Sequence, residues 1–155
     1  MTETLAKAAS LDPQTPWTWI DQGFEPLYAM SWRDCEETQL AALKLQFAKL
    51  NGPVSALEKL ARREGVLAID SVEDALPLLF DHRIYKSYPL AIIEKREIGK
   101  LNGWLDRLTT HDLSKMDLAG LSMIDDWLDR LDEFGMLVGT SSGTTGKLSF
   151  VPRSK

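Results

Sequence analysis

Up to Gly135 the apolar residues of this chain recur at the three-to-four spacing of helices; after Gly135 the spacing drops to two. That switch, with glycine and proline at the joints, predicts a helical body followed by a small β element. Leu11 to Pro26 reads as a loop or short turns pinned by Trp17 and Trp19. Ser31 with Asp34 resembles a capping box and opens a helix whose Leu40, Leu43, Phe47 and Leu50 share one face. Asn51-Gly52-Pro53 stops it, because glycine accepts the left-handed position after a helix and proline cannot continue the ladder. Pro53 suits the first turn of a second helix, with Val54, Leu57, Leu60 and Ala61 as its apolar face and Gly65 as its end. Val66 to Ile69 is a short strand or an extended link. Ser71 and Asp74 cap a short helix reaching Phe80, with Pro77 inside it.

Asp81 to Pro89 reads as an ordered loop. One long helix is then expected from Leu90 to Leu108, with Ile93, Glu97, Leu101, Trp104 and Leu108 along a stripe. Thr109 to Gly120 is turn-rich. Ser122 with Asp125 caps a last helix that turns Ile124, Trp127, Leu128 and Leu131 inward, and Gly135 closes it. Met136-Leu137-Val138 reads as a buried strand. Lys147 to Val151 reads as a second, with Leu148 and Phe150 on one side and Ser149 on the other. The expected class is mainly α with a short terminal β-hairpin, divided into a helical region at 1–135 and a strand–loop–strand at 136–155.

Composition excludes several functions. With 44% apolar and 26% charged residues, a chain of 155 residues can bury a core of its own. Its net charge of −5 argues against nucleic acid or anionic lipid as a general partner. Cys35 is the sole cysteine, so no internal disulfide forms, and His82 and His111 lie far apart, so no metal site is expected. The first residues lack the basic-then-apolar order of a secretory signal, and no apolar run approaches about 18 residues, so no membrane span is expected. A cytoplasmic setting fits.

The segment that carries chemistry is Gly139-Thr140-Ser141-Ser142-Gly143-Thr144-Thr145-Gly146-Lys147. Its glycines let a ligand approach the main chain, its N–H groups can converge on an anion, its hydroxyls are rotatable donors, and Lys147 adds a compact charge. On composition alone it is either an oxyanion cradle or a flexible hairpin turn. It is not a Walker loop. That motif requires Gly at position 141 and Ser or Thr at position 148, where Ser141 and Leu148 stand.

Ser141-Ser142-Gly143-Thr144-Thr145-Gly146 resembles the phosphate loop of acyl-adenylate-forming (AMP-dependent) synthetases, written Thr/Ser-Ser-Gly-Ser/Thr-Thr-Gly followed by x-Pro-Lys-Gly. It is most similar to the phenylacetate–coenzyme A ligase and acyl-protein synthetase branch, in which such a loop follows a helical lead-in. It departs from the pattern after Gly146, where Lys147-Leu148-Ser149 stands in place of x-Pro-Lys. The resemblance implies the N-terminal part of a larger α/β adenylate-forming fold. It implies ATP with Mg2+, a carboxylic acid substrate, and coenzyme A or an acyl-carrier or acceptor protein as partners. Ser141, Ser142, Gly143, Thr144, Thr145, Gly146 and Lys147 would bind the nucleotide's phosphates. The catalytic residues, the adenine pocket and the metal ligand are implied beyond Lys155, so this stretch alone is expected to be inactive and prone to self-association through apolar surface.

Other clusters have plainer readings. Asp125, Asp126, Asp129, Asp132 and Glu133 are a solvated helix face rather than a metal site. His111-Asp112 is a loop or cap, His82-Arg83 with Tyr85-Lys86 a surface loop, and Cys35 a structural helix residue. Two alternatives to the ligase remain open: a non-catalytic helical interaction module with a Gly/Ser/Thr-rich hairpin, and a phosphate-binding enzyme of another kind.

Overall fold

The computed structural model describes residues 12–15, 18, 23–141 and 146–154. It is mainly helical, with one short two-stranded antiparallel hairpin. The helices are α1 (Phe24–Tyr28), α2 (Trp32–Leu50), α3 (Ser55–Glu64), α4 (Leu90–Glu94), α5 (Ile98–Leu105) and α6 (Ile124–Glu133). The strands are β1 (Met136–Ser141) and β2 (Ser149–Ser154). Short 3-10 turns cover Glu73–Leu78, His82–Lys86, Asp106–Leu108 and Leu113–Lys115. The residues divide into two compact units, one of 1–49 with 61–78 and the other of 50–60 with 79–155; the division falls inside α3.

In the first unit, Ser31 caps the start of α2: its Oγ accepts from the Asp34 N–H at 3.2 Å, the first half of the capping box expected from the sequence. The Asp34 carboxylate accepts from the Ser31 hydroxyl at 2.7 Å, where a capping box would have it accept from the Ser31 main-chain N–H. Leu40, Leu43 and Phe47 are half-buried, and α2 has no fully buried residue. The buried apolar residues of this unit are Ala61, Ile69, Ala75 and Leu78. Val66 to Ile69 forms a link and not a strand. The helix expected after Ser71 is a 3-10 turn that ends at Leu78. Pro77 lacks the N–H that an α-helix would use there. Asp74 reaches back to accept from the N–H groups of Asp70 (2.9 Å) and Ser71 (2.8 Å).

The second unit holds the larger core: Tyr88, Ile92, Ile98, Leu101, Trp104, Leu105, Leu108, Leu113, Met116, Trp127, Leu131, Met136 and Phe150. The single helix expected over 90–108 is broken here. α4 ends in a Schellman closure, with Glu97 N–H donating to Ile92 O at 2.9 Å and Arg96 N–H to Ile93 O at 3.0 Å. Arg96 occupies the left-handed position of that closure, at φ 54°. The break turns the chain so that both Ile92 and Ile98 enter the core. Gly99 and Gly103 lie inside α5, where they break nothing.

α6 begins one residue later than its sequence signal. Met123 is the N-cap, and Asp126 accepts from its N–H at 3.3 Å. Trp127 and Leu131 are fully buried while the aspartates flank them in solvent. Asn102 ties α5 to α6 and to the turn at 113. Its amide accepts from the Trp127 indole at 3.1 Å and donates to Leu113 O at 2.9 Å. Gly135, at φ 98°, ends α6 and turns the chain directly into β1.

Candidate functional site: the hairpin and its tyrosine base

β1 and β2 pair in register from Met136 opposite Ser154 to Ser141 opposite Ser149. Both strands differ from expectation. β1 runs on through Gly139, Thr140 and Ser141, and β2 starts at Ser149 rather than Lys147. Ser149 is buried, and its hydroxyl lies 2.6 Å from that of Ser141, so the last pair of the ladder is closed by side chains as well. A buried hydroxyl needs such a partner.

Ser142, Gly143, Thr144 and Thr145 lie outside the described residues. Ser141 stands at one foot of the segment, Gly146 and Lys147 at the other. Gly146 has φ 69°, a left-handed backbone that glycine adopts without strain. Ser141, Gly146 and Lys147 are therefore brought to one end of the hairpin by the β1–β2 register.

The second foot is tied down by Tyr88. The Tyr88 hydroxyl donates to Leu148 O at 2.7 Å. The Lys147 ammonium donates to the Tyr88 main-chain carbonyl and stands over the Tyr88 ring, 4.4 Å from its centroid. One residue thus engages two successive residues through its carbonyl, its ring face and its hydroxyl. Burial pushes the Tyr88 phenol above its ordinary pKa, which favours the neutral, donating form. Lys147 makes no ion pair among the described residues.

Beneath the hairpin, Tyr88 belongs to an aromatic cluster. Its ring lies 5.1 Å from Trp104 at 75° and 5.5 Å from Phe150. Phe150 of β2 meets Trp127 edge-on at 5.4 Å. The Trp104 indole donates to Ser87 Oγ at 2.9 Å, and Ser87 Oγ donates to Ile84 O at 2.8 Å. Edge-to-face aromatic pairs contribute about 0.5–1.5 kcal/mol beyond the area they bury, which stabilises the base of the hairpin. Sequence reasoning placed Tyr88 in an ordered loop and missed its part as the anchor of 147–148. No local pattern marks a bond to a residue 60 positions away.

The remaining clusters settle into ordinary parts. Asp81 caps the 3-10 turn at 82–86, accepting from the Arg83 N–H and guanidinium, and these bonds hold its carboxyl down at about 2. His82 Nδ1 lies 3.0 Å from the same carboxylate. Asp112 pairs with Lys115 at 2.9 Å, and the His111 N–H donates to Thr109 Oγ1. Cys35 is half-buried in the first turn of α2. Among the described residues no group of His, Cys, Asp or Glu is arranged to hold a metal ion, and no helix is long and apolar enough to cross a membrane. No family model, no curated protein and no solved structure matches the chain.

Proposed function

We propose that residues 141–147 grip the β- and γ-phosphates of ATP in an acyl-adenylate-forming ligase, of whose larger α/β fold this chain forms an N-terminal part. In that reaction a carboxylate oxygen attacks the α-phosphorus, the bond from that phosphorus to the bridging oxygen breaks, and pyrophosphate leaves. The acyl group then passes to a thiol or protein acceptor. The single observation that carries this reading is that the Ser/Thr/Gly run stands between two paired strands. Its two ends are fixed by the ladder and by Tyr88, and a lysine without an ion pair among the described residues stands at the second end.

A loop held at both ends spends less entropy in closing on a ligand. Hydroxyls and main-chain N–H groups then act by position and by charge stabilisation on the leaving pyrophosphate. Lys147 adds positive potential at the base of the loop while its hydrogen bond goes to a neutral carbonyl. Residues 139–149 contain no carboxylate, so a carboxylate ligand for the nucleotide's magnesium would come from outside this stretch.

The test is carboxylate-dependent exchange of labelled pyrophosphate into ATP by the protein that contains this chain, across a broad panel of acids. Exchange is expected, and Gly146→Val and Lys147→Met are expected to reduce it by about tenfold or more. Folded protein without exchange for any acid overturns the proposal. The bond from Lys147 to Tyr88 favours one alternative, a helical interaction module in which the lysine is a pin. In that case Lys147→Met lowers stability and leaves nucleotide binding unchanged.

A further inference from the structure

A cleft of 220 Å³ in the second unit is lined by Lys59 of α3 and by Arg107, which follows α5. Ser55, Trp104, Ile84 and Leu108 also line it, and no acidic residue does. In a chain of net charge −5, a cleft lined by a lysine and an arginine and by no carboxylate is a local positive bias. Neither cation makes an ion pair among the described residues. Asp106, beside Arg107 in sequence, accepts from the Leu113 N–H at 2.8 Å. An anion in the cleft would meet favourable potential from both side chains.

We propose that this cleft binds the phosphate monoester of a small organic molecule. The phosphate sits between Lys59 and Arg107, with the Ser55 hydroxyl as a further donor. The organic part rests on Ile84, Leu108 and the Trp104 edge. Arginine's fork matches two phosphate oxygens and lysine supplies a point charge. A phosphate monoester is nearly dianionic at neutral pH and answers both cations, whereas a carboxylate answers one. The volume is below the usual range of about 300–1,000 Å³ for ligand pockets, which limits the body of the ligand to a few atoms beyond the phosphate. None of residues 141–147 lines the cleft, so the proposal stands apart from the one for ATP.

The experiment is an NMR titration of the whole chain with phenyl phosphate, with inorganic phosphate and with benzoate. It follows the indole N–H of Trp104, which donates to Ser87 Oγ at the cleft. Phenyl phosphate is expected to shift that signal to saturation at about millimolar concentration or below, and benzoate is expected to leave it unsaturated. Lys59→Gln and Arg107→Gln are each expected to weaken binding about tenfold, the loss of one charge-assisted hydrogen bond. Both side chains are exposed, so thermal stability is expected to stay the same. Unchanged binding in the double variant overturns the proposal. So does inorganic phosphate binding as tightly as phenyl phosphate, or a phosphoserine peptide binding far more tightly than either.

Discussion

Tyr88→Phe removes one hydroxyl from the base of the hairpin and leaves its other contacts in place. The ring still meets Trp104 and Phe150, and Lys147 still donates to the main-chain carbonyl of residue 88 and stands over an aromatic face. What is lost is the 2.7 Å bond to Leu148 O. The carbonyl left behind is half-covered and regains water in part, which sets the cost at about 1–2 kcal/mol. Urea unfolding followed by the indole signals of Trp104 and Trp127, both in the same unit, measures it. With a slope of about 1–3 kcal/mol/M, the midpoint falls by roughly 0.3–2 M at constant slope. The pH dependence adds a signed check. Burial raises the folded-state pKa of Tyr88, so the stability that depends on its neutral form is complete below the unfolded value and is lost as pH rises through the folded one. Phenylalanine has no such loss, so the gap between the two proteins narrows above about pH 10. An unmoved midpoint at neutral pH, or a gap that widens in alkali, refutes the anchoring assigned to Tyr88.

Arg96→Gly is expected to stabilise the protein by about 0.5–1 kcal/mol, because relief of the left-handed strain at φ 54° exceeds the added freedom of the unfolded chain; a lower urea midpoint contradicts this. Asn102→Leu leaves the Trp127 indole N–H and Leu113 O without partners, and it is expected to cost about 2–4 kcal/mol in the same assay. Asp81 is held down at about 2, so its contribution is present above the unfolded carboxylate value of about 4 and is lost as pH falls from there through about 2. Asp81→Asn is therefore expected to flatten acid unfolding in that window, where Asp81→Glu keeps the slope.

Local signals were legible where the partner is local. Ser31 caps α2 as its spacing to Asp34 implied, and Trp127 with Leu131 turn inward from α6 as the stripe implied. The break at Arg96 carries no glycine or proline to announce it. It follows from the need to bury Ile92 and Ile98 together, which only the packed core imposes. The burial of Ser149 was not legible, because its hydroxyl is satisfied by Ser141 across the ladder, a pairing set by register. The composition of residues 139–147 announced the loop. The way its second foot is held depends on Tyr88, far away in sequence, and on the cluster that fixes its ring.

The amide of Asn102, closed between an indole and a peptide carbonyl, gives the second unit an internal clock. The Trp127 indole proton is fully enclosed and can trade with deuterium only when α5 and α6 part. Its exchange rate then reports the rarest, most global opening of that unit, while the amides at the rim of the hairpin report the frequent ones. The ratio of the two rates, corrected for intrinsic exchange, gives the difference in free energy between opening the rim of the hairpin and opening the scaffold beneath it.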